Sequence, residues 1–255
     1  MSSYEKFAEV YDKLMTDVPY EEISKLIDRE ITSRNIENKM ILDLACGTGT
    51  LTKLLGEKGY EMIGADASYE MLIKAREKNP DILFLNQSME DFELYGTVGA
   101  IVCCLDSINY LTEDGALDNV FRLCNNYLEP GGLLMFDVNS EYKFKNVLAD
   151  NIYTFDNDEI FYIWENNFSE EDSLCDFYLT FFVKNGEDYE RFDEVHTERC
   201  YKDKEIVKSL EKNGFTIREK YDGFTRKSAN DKSERIFYVC ENTDSIQLKN
   251  LDTRR

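Results

Sequence analysis

The sequence predicts a doubly wound α/β fold, and three stretches predict it. In the first, the apolar run Met40-Ile41-Leu42 passes through Asp43-Leu44-Ala45-Cys46 into Gly47-Thr48-Gly49, and a helical pattern starts at about Thr50. That order reads as a buried strand, a tight glycine turn and a helix N-terminus. In the second, Glu61–Asp66 is a strand ending in an acid, followed by a helix that Ser68 can cap. In the third, Val98–Leu105 is a continuous apolar run bounded by Gly96 and Asp106. A strand of that texture is buried on both faces, as at the centre of a mostly parallel sheet.

The other elements follow in order. Tyr4, Phe7, Ala8, Tyr11 and Leu14-Met15 repeat at helical spacing over residues 4–15. After a turn at Asp17-Val18-Pro19, Tyr20–Arg34 is a second helix with Ile23, Leu26, Ile27 and Ile31 as its apolar stripe. The first crossover helix runs from Thr50 to Lys58, and the second to Lys78, where Asn79-Pro80 stops it. Ile82–Leu85 is the third strand. Thr112–Leu128 is a helix ended by Glu129-Pro130-Gly131-Gly132, and Leu133–Val138 is the fifth strand. From Asn139 to about Cys200 the texture changes to alternating aromatics and acidic turns, with Asn185-Gly186 between two strand-like runs. This predicts a small antiparallel sheet inserted before the last helix, Lys204–Asn213. The strands Phe215–Tyr221 and Arg235–Cys240 close the domain, and the polar tail Asn242–Arg255 is expected to fray.

A chain of 255 residues with 42% apolar residues can bury a sizeable core. Its net charge of −21 argues against a nucleic-acid backbone or an anionic membrane as partner. It suits a small or cationic molecule. The first fourteen residues are charged, without the apolar core of a signal peptide, and no run reaches membrane-spanning length. Seven cysteines lie mostly in apolar segments without a CxxC pair, which predicts buried reduced thiols, no metal site and a cytoplasmic location. The chain is expected to be a monomer or homodimer.

The glycine turn is not a dinucleotide fingerprint. The third glycine of GxGxxG would fall at position 52, which holds Thr52. Asp43, four residues before Gly47, places a carboxylate where a cationic, amine-bearing ligand fits better than a pyrophosphate. The order D-x-A-x-G-x-G, here Asp43, Ala45, Gly47 and Gly49, resembles motif I of the class I S-adenosylmethionine (SAM)-dependent methyltransferases. Glu61-Met62-Ile63-Gly64-Ala65-Asp66, followed by Ala67-Ser68 and Met71, is similar to the family's second mark. There the acid accepts from both ribose hydroxyls. Asp106-Ser107-Ile108-Asn109-Tyr110-Leu111 resembles a bacterial group of cytosolic members with small or unassigned substrates.

The resemblance implies a Rossmann-like, seven-stranded sheet with an antiparallel β insert. Residues 1–138 and 201–255 would form the SAM-binding domain with an N-terminal helical lid, and residues 139–200 the insert that covers the acceptor pocket. It implies SAM as cofactor and S-adenosylhomocysteine as product. The residues it places around the cofactor are Tyr11, Asp43, Ala45, Cys46, Gly47, Gly49, Asp66, Ala67, Met71, Gln87, Ser88, Met89 and Leu105. At the adenine turn the family usually has an aspartate; Ser88 stands in its place, and Gln87 beside it can accept without charge or simply be solvated. A small-molecule methyl acceptor would meet Tyr4, Asp106, Ser107, Asn109 and Arg199. Asp106 can equally cap a helix, and Arg199 can pair with one of the many acids.

Asp106, Tyr11 and His196, the only histidine, are the candidates for a general base. Period two puts Arg199 and Tyr201 on the face of their strand opposite to His196. Two other classes stay open: a non-catalytic SAM-binding regulatory or scaffold protein, and a nicotinamide-dependent enzyme on the same strand–turn–helix.

Overall fold

The structure is a computed structural model and describes residues 3–243, with the backbone alone for residues 3–6 and 9. The side chain of Tyr4 and the tail beyond Thr243 lie outside the described residues.

Two N-terminal helices, α1 (Ser3–Leu14) and α2 (Tyr20–Ser33), precede the first strand β1 (Met40–Leu44). The chain then alternates: α3 (Thr50–Glu57), β2 (Glu61–Asp66), α4 (Tyr69–Lys78), β3 (Leu83–Asn86) and β4 (Val98–Cys103). A 3₁₀ turn, Ser107–Tyr110, leads to α5 (Ala116–Tyr127) and the long strand β5 (Leu128–Asn139). The short helix α6 (Glu141–Lys143) and a π turn, Phe144–Leu148, open the insert. Its strands are β6 (Ile152–Asp156), β7 (Ile160–Ser169), β8 (Leu174–Asn185) and β9 (Asp188–Arg199). Helix α7 (Asp203–Lys212) and the strands β10 (Phe215–Asp222) and β11 (Arg235–Asn242) close the fold.

Seven strands form one sheet in the order β10-β11-β5-β4-β1-β2-β3, in which only the pairings of β11 are antiparallel. Side chains alternate across each strand, so both faces are covered. Leu42, Ile101 and Phe136 pack with Val120, Phe121 and Leu210 of α5 and α7. Ile41, Val102 and Met135 pack with Ile23, Ile27 and Leu55 of α2 and α3. Each such fully buried side chain contributes about 1.5–3 kcal/mol. The sheet is wound outward from β1 and β4, so the crevice beyond their carboxyl ends is the topological switch point where this architecture binds ligands.

The insert is a four-stranded antiparallel sheet in sequential order. Its inner face runs Phe192, Glu194, His196 and Glu198 along β9. At one end Ile160, Phe181 and Phe192 pack on Val10 of α1. At the other, Cys175 and Phe177 pack on Phe144 and Leu148.

Three expectations about extents are corrected. Strand β4 stops at Cys103, because Leu105 and Asp106 turn into the left-handed region at φ +61° and +55°. Helix α5 begins at Ala116 rather than Thr112, whose carbonyl is taken by Arg199. Asn242 is strand rather than tail: it is buried, and its amide donates to the Leu128 carbonyl at 3.2 Å.

Candidate active site

At the end of β1 the chain changes direction within five residues. Ala45, Gly47 and Gly49 all have positive φ, at +60°, +53° and +72°. A side chain on Gly49 would press to 3.1–3.2 Å against Phe84, Ala75 and Asn79, so only glycine lets the start of α3 lie on α4. Around the missing side chain of Gly47 there is nothing within 4 Å, which leaves its backbone open to a ligand. The Cys46 N–H donates to the Ala65 carbonyl at 3.0 Å and ties the turn to β2.

Two carboxylates face this turn. Asp66 accepts from Gly47 N–H and Ser68 N–H, each at 2.8 Å, one on each oxygen. Each oxygen keeps a further acceptor site for a hydroxyl. Burial raises the Asp66 carboxyl above its ordinary range, against those two donors. Asp43 is buried and accepts from the Thr52 hydroxyl. Burial pushes its carboxyl up to about 7; the Thr52 bond works against the shift and the nearby Asp66 charge adds to it. A buried acid poised in this way is stabilised as the anion by an incoming cation.

A cavity opens at this point, walled by Asp43, the Ala45–Thr48 turn, Leu105 and Ser107. Tyr11 of α1 and Tyr20 of α2 cover it. Their phenols lie close together, and burial raises both. Asp12, next to Tyr11, accepts from the Thr48 hydroxyl at 2.6 Å and from Lys78 Nζ at 2.8 Å. Helix α1 is thereby fastened across the glycine turn to α4. A wider cleft, about 510 Å³, lies between α7 and the β10–β11 loop, away from both acids and the glycine turn.

Beyond β4 a buried polar cluster forms. Asp137 accepts from Leu105 N–H at 2.7 Å and Asp106 N–H at 2.9 Å, and pairs with Arg235. Arg235 also holds Asp106 at 2.5 Å. Burial alone would raise the Asp106 carboxyl; Arg235 and Lys143 beside it hold it below the usual range. Glu198, on the insert, accepts from the Asn139 amide at 2.9 Å and lies against Asp106, and burial pushes its carboxyl well up.

The structure therefore brings Tyr11, Asp43, Ala45, Cys46, Gly47, Leu105 and Ser107 together around one cavity. Asp66 and Asp106 lie close enough for their charges to raise the Tyr11 phenol further. Ala67 and Met71 sit at the start of α4, where the Ser68 hydroxyl accepts from Met71 N–H at 3.2 Å. At the next turn, Gln87 Oε1 accepts from Glu93 N–H and Ser88 Oγ from Glu90 N–H, each at 3.2 Å, while Met89 packs on Cys103.

Asn109 is placed differently from the expectation, while Arg199 takes the ion-pairing reading that its acid-rich context also offered. Asn109 is fully buried; its amide donates to the Arg199 carbonyl at 2.9 Å and its oxygen accepts from Asn139 N–H at 2.9 Å. It joins the two ends of the insert. Arg199 turns outward to the Thr112 carbonyl and Asp114, at 3.1 and 3.0 Å. His196 stands between α1 and the 3₁₀ turn, its ring 5.6 Å from that of Phe7 and 5.9 Å from that of Tyr110. Sequence reasoning missed the Asp12 latch, Arg235, Asp137 and Glu198. It also missed Thr52 as the partner of Asp43, although the absence of a third glycine marks that position.

A methyltransferase domain model matches residues 41–132. A Bacillus subtilis (strain 168) chain named as the methyltransferase YqeM is 38% identical over 248 residues, 95% of this chain and 98% of its own. The crystal structure of an S-adenosylmethionine-dependent methyltransferase from Clostridium acetobutylicum ATCC 824 superposes with a TM-score of 0.87 at 39% identity, covering 93% and 98% of the two chains. The chain belongs to the class I S-adenosylmethionine-dependent methyltransferases. A more distant relative of this methyltransferase, 32% identical over 107 residues (42% of this chain and 45% of its own), is the dTDP-3-amino-3,4,6-trideoxy-alpha-D-glucopyranose N,N-dimethyltransferase of Streptomyces venezuelae. The cofactor is SAM, and the donor set fits it: a buried and a half-buried acid, an open glycine backbone and aromatic cover suit an ammonium, a diol and a sulfonium.

Proposed function

We propose that this methyltransferase moves the methyl group of SAM to a nucleophile on a small molecule by in-line displacement. The observation that carries the reading is the enclosure of the cavity. Helix α1 is latched over the glycine turn through Asp12, with Tyr11 and Tyr20 across the opening, which favours a small acceptor over a polymer. The net charge of −21 agrees, because a nucleic-acid substrate needs basic patches. The amino-sugar relative named above acts on a small molecule.

In this reading Asp43 and the Gly47–Gly49 backbone hold the amino-acid end of the cofactor, Asp66 its ribose, and the Gln87–Met89 turn its adenine. Ala67 and Met71 flank the ribose and Tyr11 covers the sulfonium. Bound SAM supplies an activated methyl on a sulfonium that departs as a neutral thioether. The protein's contribution is alignment: holding the acceptor in line with the methyl–sulfur bond and keeping water out. The acceptor enters past Leu105 and Ser107, and the sheet of residues 139–200 roofs it.

The test is incubation of the purified enzyme and isotopically labelled SAM with a cellular small-molecule extract, read by mass spectrometry. A labelled low-mass product is the expected result. Label found only in protein or nucleic acid overturns the reading.

A further inference from the structure

The small-molecule reading leaves the acceptor's proton without a destination, and most titratable groups around the cavity are poor receivers. Asp43 and Asp66 face the cofactor's turn. Asp106 is paired with Arg235 at 2.5 Å, and the charges beside it make it a weaker base than an ordinary carboxylate. Glu198 is buried, holds the Asn139 amide at 2.9 Å and lies against Asp106. The cysteines along this wall, Cys46, Cys103 and Cys104, are held as thiols by burial.

His196 is different. It lies on the inner face of β9, between Glu194 and Glu198. Three contacts fix its place near the cavity. Its ring meets Phe7, whose own ring is 5.6 Å from that of Tyr11, the cavity's cover. Its Nδ1 is 3.4 Å from the hydroxyl of Tyr110, three residues beyond the cavity-lining Ser107. Two residues along the same strand face, Glu198 lies against Asp106. Among the described residues Nε2 has no protein partner, and the residue is only half-buried.

We infer that His196 is the proton acceptor of the reaction, with Tyr110 Oη receiving Nδ1–H so that Nε2 presents its lone pair to the methyl acceptor. The inference rests on the small-molecule reading and narrows it. The substrate class is a small molecule whose acceptor atom carries a proton, an O–H or N–H group, rather than a tertiary amine or thioether. The acceptor's lone pair forms the new bond to the methyl carbon while the carbon–sulfur bond breaks and its electron pair stays on sulfur. The acceptor's proton passes to Nε2, and the imidazolium returns it to solvent.

Among the described residues, the charged or titratable groups nearest the ring are Tyr110 from the segment after β4 and, along its own strand face, Glu194 and Glu198, with Tyr11 beyond Phe7 and Asp106 beyond Glu198; its partner across β8 is the uncharged Phe177. Burial lowers the imidazole's pKa, which favours the neutral ring that a base needs.

The experiment uses the full chain, labelled SAM and the same extract, comparing wild type with His196→Gln and His196→Ala. The expected result is a loss of at least about 100-fold in the rate of label transfer, in the range that acid–base catalysis contributes, with affinity for S-adenosylhomocysteine and Tm unchanged. Free imidazole should restore part of the rate to His196→Ala, which a packing role would not allow. Since the chain has one histidine, ¹⁵N-histidine NMR reads its tautomer and pKa directly. The acidic limb of the wild-type rate profile should match that pKa and vanish in His196→Gln. Wild-type rates in both variants, or an unchanged acidic limb in His196→Gln, overturn the assignment alone. A labelled product that is a quaternary ammonium or sulfonium also overturns it. Absence of any labelled small molecule from the wild type overturns the small-molecule reading, and this inference with it.

Discussion

Asp66 and Gly47 are joined across the crevice between the first two strands by one hydrogen bond, 2.8 Å from the glycine N–H to a carboxylate oxygen. The acid at the end of β2 thus shapes the turn at the end of β1. Asp66→Ala should weaken S-adenosylhomocysteine binding about 100-fold or more, since each hydrogen bond to a charged group contributes about 1.5–3 kcal/mol. Isothermal titration calorimetry checks this. Asp66→Asn, which keeps one acceptor oxygen, should fall between the two.

Asp43 sets a pH dependence. Its carboxyl, pushed up to about 7 in the free protein, must be ionised to hold an ammonium. Ligand affinity should therefore rise with pH, by about tenfold between pH 6 and pH 8, with ~0.5 proton released per ligand at pH 7. Calorimetry in buffers of different ionisation enthalpy measures the released proton. A flat profile would show that Asp43 does not face the amine.

The latch at Asp12 governs exchange. Its partners are the Thr48 hydroxyl and Lys78, and the exposed ion pair contributes little while the bond to Thr48 contributes more. Asp12→Ala should speed release of S-adenosylhomocysteine about tenfold, equivalent to about 1.4 kcal/mol. Lys78→Ala should change it by less than threefold. Stopped-flow fluorescence with Tyr11 and Tyr20 as reporters follows both.

Arg235 pairs with two carboxylates, the buried Asp137 and the half-buried Asp106. Arg235→Met leaves Asp137 without its partner and Asp106 with Lys143 alone, and should cost about 3–5 kcal/mol of stability at neutral pH. Because the bare acids take up protons as pH falls, the deficit should shrink toward pH 5. Urea unfolding at the two pH values tests the sign.

Much of this was legible in the residues. Asp43, Gly47 and Asp66 lie within 24 positions, on two adjacent strands whose apolar texture and turn chemistry announce them. The central strand was legible from its unbroken apolar run, but its end was not. Leu105 and Asp106 leave the extended conformation to donate their N–H groups to Asp137, over thirty residues away. Arg235 and Asp137 are 98 residues apart, and no local pattern reports their pairing. Arg199 has the composition of a substrate clamp, yet its direction is set by the Thr112 carbonyl, which only the tertiary fold places. Asn109 reads as a pocket residue because it follows the central strand; the structure spends its amide on two distant backbones.

That single amide has an evolutionary corollary. The chain departs for the four-stranded sheet at Asn139 and comes back at Arg199, and both points are clasped by one side chain of the parent domain. Whatever is spliced between them needs only to begin and end at the same clasp. A lineage can therefore exchange that sheet as a cassette, trying new shapes beside an unaltered parent domain.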